Sequence, residues 1–207
     1  MPATNQAVYA VIDTEGSGTF DFTQDADADG QPRLAQLALL RCDADFNVLS
    51  SYAGYVRPDG WTMDPAATAV NGLTDEFLNE HGKPVTEVLS EYQNAIEEGL
   101  IVVAFNAQHD CKQLRGELRR AEMDDMFERT RNICVMRGSA GCGMRPDGKK
   151  GWPKLEHVRA FLGLNTEGAH KADRDAEDAR RCAQHLKSID RLPEAAVHYA
   201  KNRSEEA

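Results

Sequence analysis

Five polar side chains stand out for the chemistry that their types and spacing permit. Asp13 and Glu15 close the apolar run Ala7-Val-Tyr-Ala-Val-Ile-Asp13. At i and i+2 on a strand, their side chains leave the same face. Two carboxylates that close repel, and burying the pair pulls a proton onto one of them, so a cation must hold both ionised. A divalent ion with oxygen ligands meets that need; Mg²⁺ takes one or two carboxylates plus substrate phosphates. Alone, a D-x-E is more often a pair of solvated strand-end acids.

Asp110 follows a second apolar run, Leu100–Phe105, and falls in the first turn of a helix. An acid there can simply favour the helix dipole. Ligand sites of open α/β sheets, however, lie at the carboxyl ends of strands, and both acid clusters occupy such ends. The third cluster, His170-Lys-Ala-Asp-Arg-Asp175, opens a helix over 172–188. Positions five apart on one helix point ~140° from each other. His170 is therefore expected in the preceding turn, leaning over whatever Asp175 holds. The bland reading is a surface histidine, with Asp173 or Asp175 as a helix cap or first-turn acid.

The elements that must position these residues read as an alternation. Residues 7–13, 34–42 and 47–57 have strand character, and Asp43-Ala-Asp-Phe-Asn47 supplies the turn of a hairpin between the last two. Residues 16–32 are a polar, glycine-rich loop. Beyond Pro58-Asp-Gly60 the period becomes helical, with Val85, Val88, Leu89, Tyr92 and Ile96 in one stripe ending at Gly99. Residues 100–105 form a fourth strand, 107–122 a helix and Ile133–Met136 a short fifth strand. Residues 138–151, with five glycines and one proline, form a mobile loop. Lys154–Leu162, 172–188 and 193–202 read as helices. The expectation is an α/β fold with a mixed five-stranded sheet flanked by helices, its first three strands an antiparallel meander.

In this order and context, Asp13, Glu15, Asp110, His170 and Asp175 resemble the signature of the DEDDh (DnaQ-like) 3′→5′ exonucleases, of ribonuclease H-like fold. The similarity runs from about residue 7 to 188. Between the motifs, Tyr55-Val-Arg-Pro58 resembles the family's third-strand ending, Asn71-Gly-Leu-Thr74 its H-G-I-T turn and Phe105-Asn-Ala107 its H-N-A. Lys154-Leu155, after Pro153, resembles a P-K-L helix start. Asn71 and Phe105 stand where the family has histidines, and the 16–32 and 138–151 loops are longer than its core requires.

The resemblance implies two Mg²⁺ ions, with Mn²⁺ as a substitute. Asp13 would bridge them, Glu15 and Asp175 would complete the ion holding the attacking water, and Asp110 would hold the other through a water. His170 would take the proton from the attacking water. Thr14, Gly16, Ser17 and Asn106 would lie against the terminal nucleotide. Phe20 could stack on a base, and packing in the core is as open to it. Arg145, Lys149 and Lys150 either contact phosphates or form a solvated basic loop.

Composition bounds the partners. The 207 residues, 41% apolar and 28% charged, suit one globular domain over 1–207, its core at about 7–188 and a short helical appendage at about 192–207. No apolar run reaches membrane-spanning length and the start lacks a secretory pattern, so a cytoplasmic protein without a membrane partner is expected. The net charge of −10 argues against holding nucleic acid by bulk electrostatics. Residues 112–160 nevertheless carry 12 Lys and Arg against 7 Asp and Glu, leaving −15 to the rest of the chain. A polyanion can engage there once cations neutralise the acids. Five scattered cysteines without a C-x-x-C pair suggest free thiols.

Two motifs are decoys. Asp25-Ala-Asp-Ala-Asp-Gly30 matches half of an EF-hand loop, but its twelfth position is Gln36 at the start of a strand. Gly16-Ser-Gly18 does not extend to a dinucleotide fingerprint, since Asp21 occupies the last glycine position.

The expected activity is metal-dependent 3′→5′ hydrolysis of single-stranded DNA, favoured over RNA. Rivals are an exoribonuclease or oligoribonuclease trimming RNA ends, and a non-catalytic nucleic-acid-binding or polymerase-associated module. The short stretch after residue 188 favours a stand-alone nuclease over a proofreading subunit bound to a DNA polymerase. A homodimer could complete the substrate channel.

Overall fold

The computed structural model describes residues 6–165 and 170–198. Its centre is β1 (Tyr9–Gly16), paired antiparallel with β2 (Leu34–Cys42), which pairs antiparallel with β3 (Val48–Tyr55). On its other side β1 runs parallel to β4 (Ile101–Ala104), and β4 to β5 (Arg131–Cys134). The meander and the mixed sheet are as the sequence predicts.

Alternation along β1 assigns its two faces. Ala10 and Ile12 join one apolar cluster with Val88, Leu89, Tyr92 and Ile96 of α3 (Val85–Glu97) and Cys111, Leu114 and Leu118 of α4 (Ala107–Arg120). Val11 joins the other, with Ala172, Ala176, Ala179, Cys182, Ala183 and Leu186 of α7 (Ala172–Ser188) and Val158 of α6 (Leu155–Leu162). The run of small residues on α7 lets that helix lie close against the sheet. By the same period of two, Asp13 and Glu15 face α7, whereas Thr14 faces α4.

The register creates the opening for a site. Pairing of β1 with β4 ends at Val11↔Val103, while pairing with β2 continues past Glu15↔Gln36. The last turn of β1 thus has no strand on its β4 side. A break in register between Glu15 and Gly16 ends the strand. An added Cβ at Gly16 would meet Gln113 Oε1 at 2.8 Å, so α4 crosses close enough that a side chain there would have to displace the Gln113 amide.

Three expectations change. The sheet has six strands, in the order β3-β2-β1-β4-β5-β6. The added strand is β6 (Ala196–Val197), which pairs antiparallel with β5 where a helix over 193–202 was expected. Asn132 Nδ2 donates to the His198 carbonyl at 3.0 Å, and the pairing covers what would be an open strand edge. Residues 199–202 lie outside the described residues. The fifth strand also ends earlier than Met136, at Cys134, where the chain turns into α5 (Val135–Gly138).

Two short helices separate β3 from α3: α1 (Pro65–Asn71), capped by Asp64, and α2 (Asp75–His81), capped by Thr74. All five cysteines are free thiols. Among the described residues, no helix is long and apolar enough to cross a membrane.

Because α7 rests on the sheet through small side chains, Ala179→Leu, at a fully buried position, should lower unfolding free energy by about 1–3 kcal/mol. Urea denaturation checks this; an unchanged midpoint would show the interface to be loosely packed.

Candidate active site

Carboxylate oxygens of Asp13, Glu15 and Asp175 lie within 4.8 Å of one another, the one such acidic, histidine or cysteine group among the described residues. Asp13 and Glu15 are half-buried on β1, and Asp175 is buried in the first turn of α7. The N-terminus of α7 is held to the sheet by Gln36, whose Oε1 accepts from Ala172 N at 3.3 Å. That is the residue at the twelfth position of the EF-hand decoy, and its side chain serves the helix instead. The decoy segment itself packs on α4: Arg120 donates to the carbonyls of Ala26 and Ala28, each at 3.3 Å.

Asp110 stands beside this group in the gap left by β4. Its Oδ1 accepts from Thr14 N at 3.0 Å and from Thr14 Oγ1 at 2.9 Å. The carboxylate thus takes the place a strand would have had along β1. Asp110 is close enough to Asp13 to repel its charge.

His170 is exposed on the turn before α7, with φ of 62°. Its backbone N–H donates to the Asp175 carboxylate, and its ring lies near enough to stabilise that charge. All five signature residues therefore converge on the carboxyl end of β1.

Packing acids together perturbs them in one direction. Burial raises Asp13 well above the ordinary aspartate range, reinforced by Asp110, Asp175 and Glu15. Glu15 rises to about 8, first through burial and then through Asp175, while a hydrogen bond from Asn71 opposes the shift. Burial raises Asp110 and Asp175 as well; His109 and Thr14 oppose it at Asp110, and Arg159 and His170 at Asp175. Buried and half-buried carboxylates on three elements with strained ionisation suit hard divalent cations, which take oxygen ligands.

Sequence reasoning missed two residues that organise the acids. Arg159, 3% exposed on α6, donates to Asp175 and, at 2.5 Å, to Asp178. Asp178 is also paired with Arg174 at 3.2 Å. Asp175 and Asp178 sit one turn apart on α7, and that i, i+3 spacing of buried acids was the available signal for a shared cation. Asn71, also buried, donates from Nδ2 to Gly16 O at 3.3 Å, accepts from Leu73 N at 3.0 Å and hydrogen-bonds the Glu15 carboxylate. Its amide thus does a positioning task where the family has a histidine.

The expected substrate contacts fare unevenly. Thr14 is 5% exposed and its donors are committed to Asp110. Ser17 is buried, exchanging hydrogen bonds with Arg33 at 2.8 Å through both backbone and hydroxyl. Gly16 and Asn106 line the backbone turn into the site, and the Asn106 carbonyl accepts from His109 N.

Phe20 is buried against His109, ring centroids 5.3 Å apart, with Lys112 Nζ over its face; the exposed ring of this loop is Phe22. Stacking on a base is thus closed to Phe20 by its own packing. Arg145 is bound within its loop to Asp147, which it holds at about 2, whereas Lys149 and Lys150 are exposed.

The family model described as Exonuclease (RNase_T) matches residues 10–181. Solved structures sharing the fold include E. coli exonuclease I with zinc and single-stranded DNA (22% identity, TM-score 0.72) and the same protein with a dT13 oligonucleotide (21%, 0.72). Each is matched over 88% of this chain and 41% of its own, so the chain spans about two fifths of those proteins. No curated protein matches the sequence.

Two measurements follow from the electrostatics. A raised carboxyl stays protonated in the folded chain at pH values where the unfolded chain has released its proton. Without divalent ions, stability should therefore fall as pH rises from about 5 to 8, by up to about 1.4 kcal/mol per pH unit for each such group. Glu15→Gln should flatten that slope in chelator; a slope unchanged by the substitution would contradict the raised Glu15. Arg159→Met leaves two buried carboxylates without their shared cation, and unfolding free energy should drop by about 3–5 kcal/mol.

Proposed function

The chain belongs to the DnaQ-like 3′→5′ exonuclease family, and from that premise we propose that it removes nucleotides from the 3′ end of single-stranded DNA in a divalent-metal-dependent hydrolysis. The observation that carries this reading is the convergence of three carboxylates within 4.8 Å, with a fourth held alongside by Thr14. Such a cluster has no packing purpose: it raises the pKa values of its own members and needs cations to ionise fully. Single-stranded DNA is favoured by the solved structures that hold it in this fold.

Asp13, Glu15, Asp110 and Asp175 would hold two Mg²⁺ ions, with Mn²⁺ an acceptable substitute. Bound there, the ions supply Lewis acidity to the attacking water and to the leaving 3′-oxygen. The chain's own residues do the rest. Asp13 and Glu15 present their oxygens from one strand face, and Arg159 and the His170 backbone fix the orientation of Asp175. Thr14 holds one oxygen of Asp110 on the α4 side. The His170 imidazole, exposed at the mouth, accepts the proton of the attacking water on a ring nitrogen, as a general base. Lys149 and Lys150 offer charge to phosphates farther along the strand.

Digestion of end-labelled single-stranded DNA, duplex DNA and RNA with Mg²⁺, Mn²⁺ or chelator tests this reading. Stepwise shortening of single-stranded DNA from the 3′ end, abolished by chelator, is expected; preference for RNA would reassign the substrate, and binding without cleavage would indicate a non-catalytic module. Asp13→Ala should abolish activity. His170→Ala should lower kcat about 10²- to 10⁴-fold, with substrate affinity retained. Ca²⁺, with its looser coordination, should support little turnover. Equal rates with Ca²⁺ and Mg²⁺ would argue against a geometry set by Mg²⁺.

A further inference from the structure

Trp152 is 56% exposed, a large apolar ring left in water at the end of the 138–151 loop. The loop is anchored rather than loose. Ser139 donates to Val135 O at 2.7 Å and contacts Cys182 of α7 at 3.2 Å, and Met144 is buried in the apolar cluster beneath α7. Arg145 is bidentate with Asp147 and donates to the Trp152 carbonyl at 3.3 Å. Gly148 closes a turn at φ of 64°, where a side chain would be strained. The guanidinium of Arg137 lies 5.7 Å from the centroid of the Trp152 ring. Trp152 is thus displayed from a braced loop, with a cation against its ring.

Its place in the chain ties it from two directions to elements that carry the acidic site. Upstream, α5 leaves β5 beside the end of β4: Met136 N donates to Phe105 O at 2.9 Å, one residue before the Asn106 turn that leads to Asp110. Arg137 is the next residue. Downstream, Trp152 precedes α6 by three residues, and Arg159 of that helix holds Asp175. At most about 17 Å of backbone separates Trp152 from Arg159, from the reach of an extended chain and the rise of a helix. Exposed Lys149 and Lys150 lie between Arg145 and Trp152.

An aromatic face beside cations is the combination that holds single-stranded nucleic acid without reading its sequence: the ring stacks on a base while ammonium groups follow the phosphates. We propose that Trp152, set by Arg137, is a nucleobase-stacking subsite for the strand leading into the acidic centre, with Lys149 and Lys150 serving its phosphates. This deepens the exonuclease reading and rests on it. Its ligand is the π-face of a base, common to DNA and RNA. Phe20, for which the sequence leaves both stacking and core packing open, is buried, and of the exposed rings Trp152 and Phe22 the tryptophan is the more exposed.

The chain has two tryptophans, so Trp61→Phe leaves Trp152 as the sole reporter. Emission of this variant is followed as oligodeoxyuridylate or oligouridylate is added, with Ca²⁺ in place of Mg²⁺ to limit cleavage. Saturable quenching is expected, and the sugar giving the tighter curve identifies the source of the base. In the otherwise unaltered chain, Trp152→Ala should weaken binding, read by fluorescence anisotropy, about 5- to 150-fold, and Trp152→Phe should restore most of it. Binding by anisotropy with unchanged tryptophan emission, or with Trp152→Ala as tight as the unaltered protein, overturns the subsite. Failure of the unaltered protein to shorten either oligonucleotide with Mg²⁺ overturns the exonuclease reading itself; normal shortening with unaffected Trp152→Ala binding overturns the subsite alone.

Discussion

Mutual repulsion among carboxylates brought within 4.8 Å is the constraint around which this structure is arranged. Like charges at that separation cannot all ionise in a partly dry site without compensation. Three of the four acids accordingly have a hydrogen-bond partner drawn from a different element. Asp110 is tied to Thr14, Glu15 to Asn71, and Asp175 to Arg159 and the His170 backbone. Asp13 has the fewest such aids and is among the groups raised furthest. Compensation is therefore partial, and what remains is a standing attraction for hard cations.

The geometry that permits this comes from sheet register rather than from any one side chain. Because β1 outlasts β4, two faces of its last turn become reachable at once: α7 approaches Asp13 and Glu15 from one side, and α4 enters the vacated edge to meet Thr14. A longer β4 would pair the Thr14 N–H and displace Asp110. The small residues on the inner face of α7 serve the same end, since a helix held farther out would carry Asp175 away from β1.

Much of this was legible in the sequence. The strand over 34–42 matches the structure to the residue, because its apolar run is nearly unbroken, and the helix expected at about 172–188 is α7. The five signature residues were legible as types at strand ends and helix starts, and they do converge. What escaped was relational. Nothing local marks Arg159 as the partner of Asp175, because the two lie on different helices and meet only through packing. Phe20 and Phe22 have the same residue type two positions apart and both lie against His109 and Lys112 of a distant helix, yet only Phe20 is buried. The expected helix at 193–202 failed for a tertiary reason too: an exposed edge of β5 recruits Ala196–Val197 more effectively than helical propensity holds a short segment.

The distribution of charge completes the account. A chain of net charge −10 repels a polyanion at long range, so contact depends on where the sign reverses locally. It reverses along α5 and the loop after it, with Arg137, Lys149 and Lys150, a segment joined to the end of β4 by the Met136–Phe105 hydrogen bond. An acidic centre bordered by a basic rim has an ordered electrostatic logic. Without cations the centre opposes the field of the rim within a Debye length, and phosphates meet both signs at once. With its charge neutralised, only the rim's field remains, and the same surface becomes attractive. On the proposed function, metal occupancy and strand affinity are therefore coupled through this arrangement of charge.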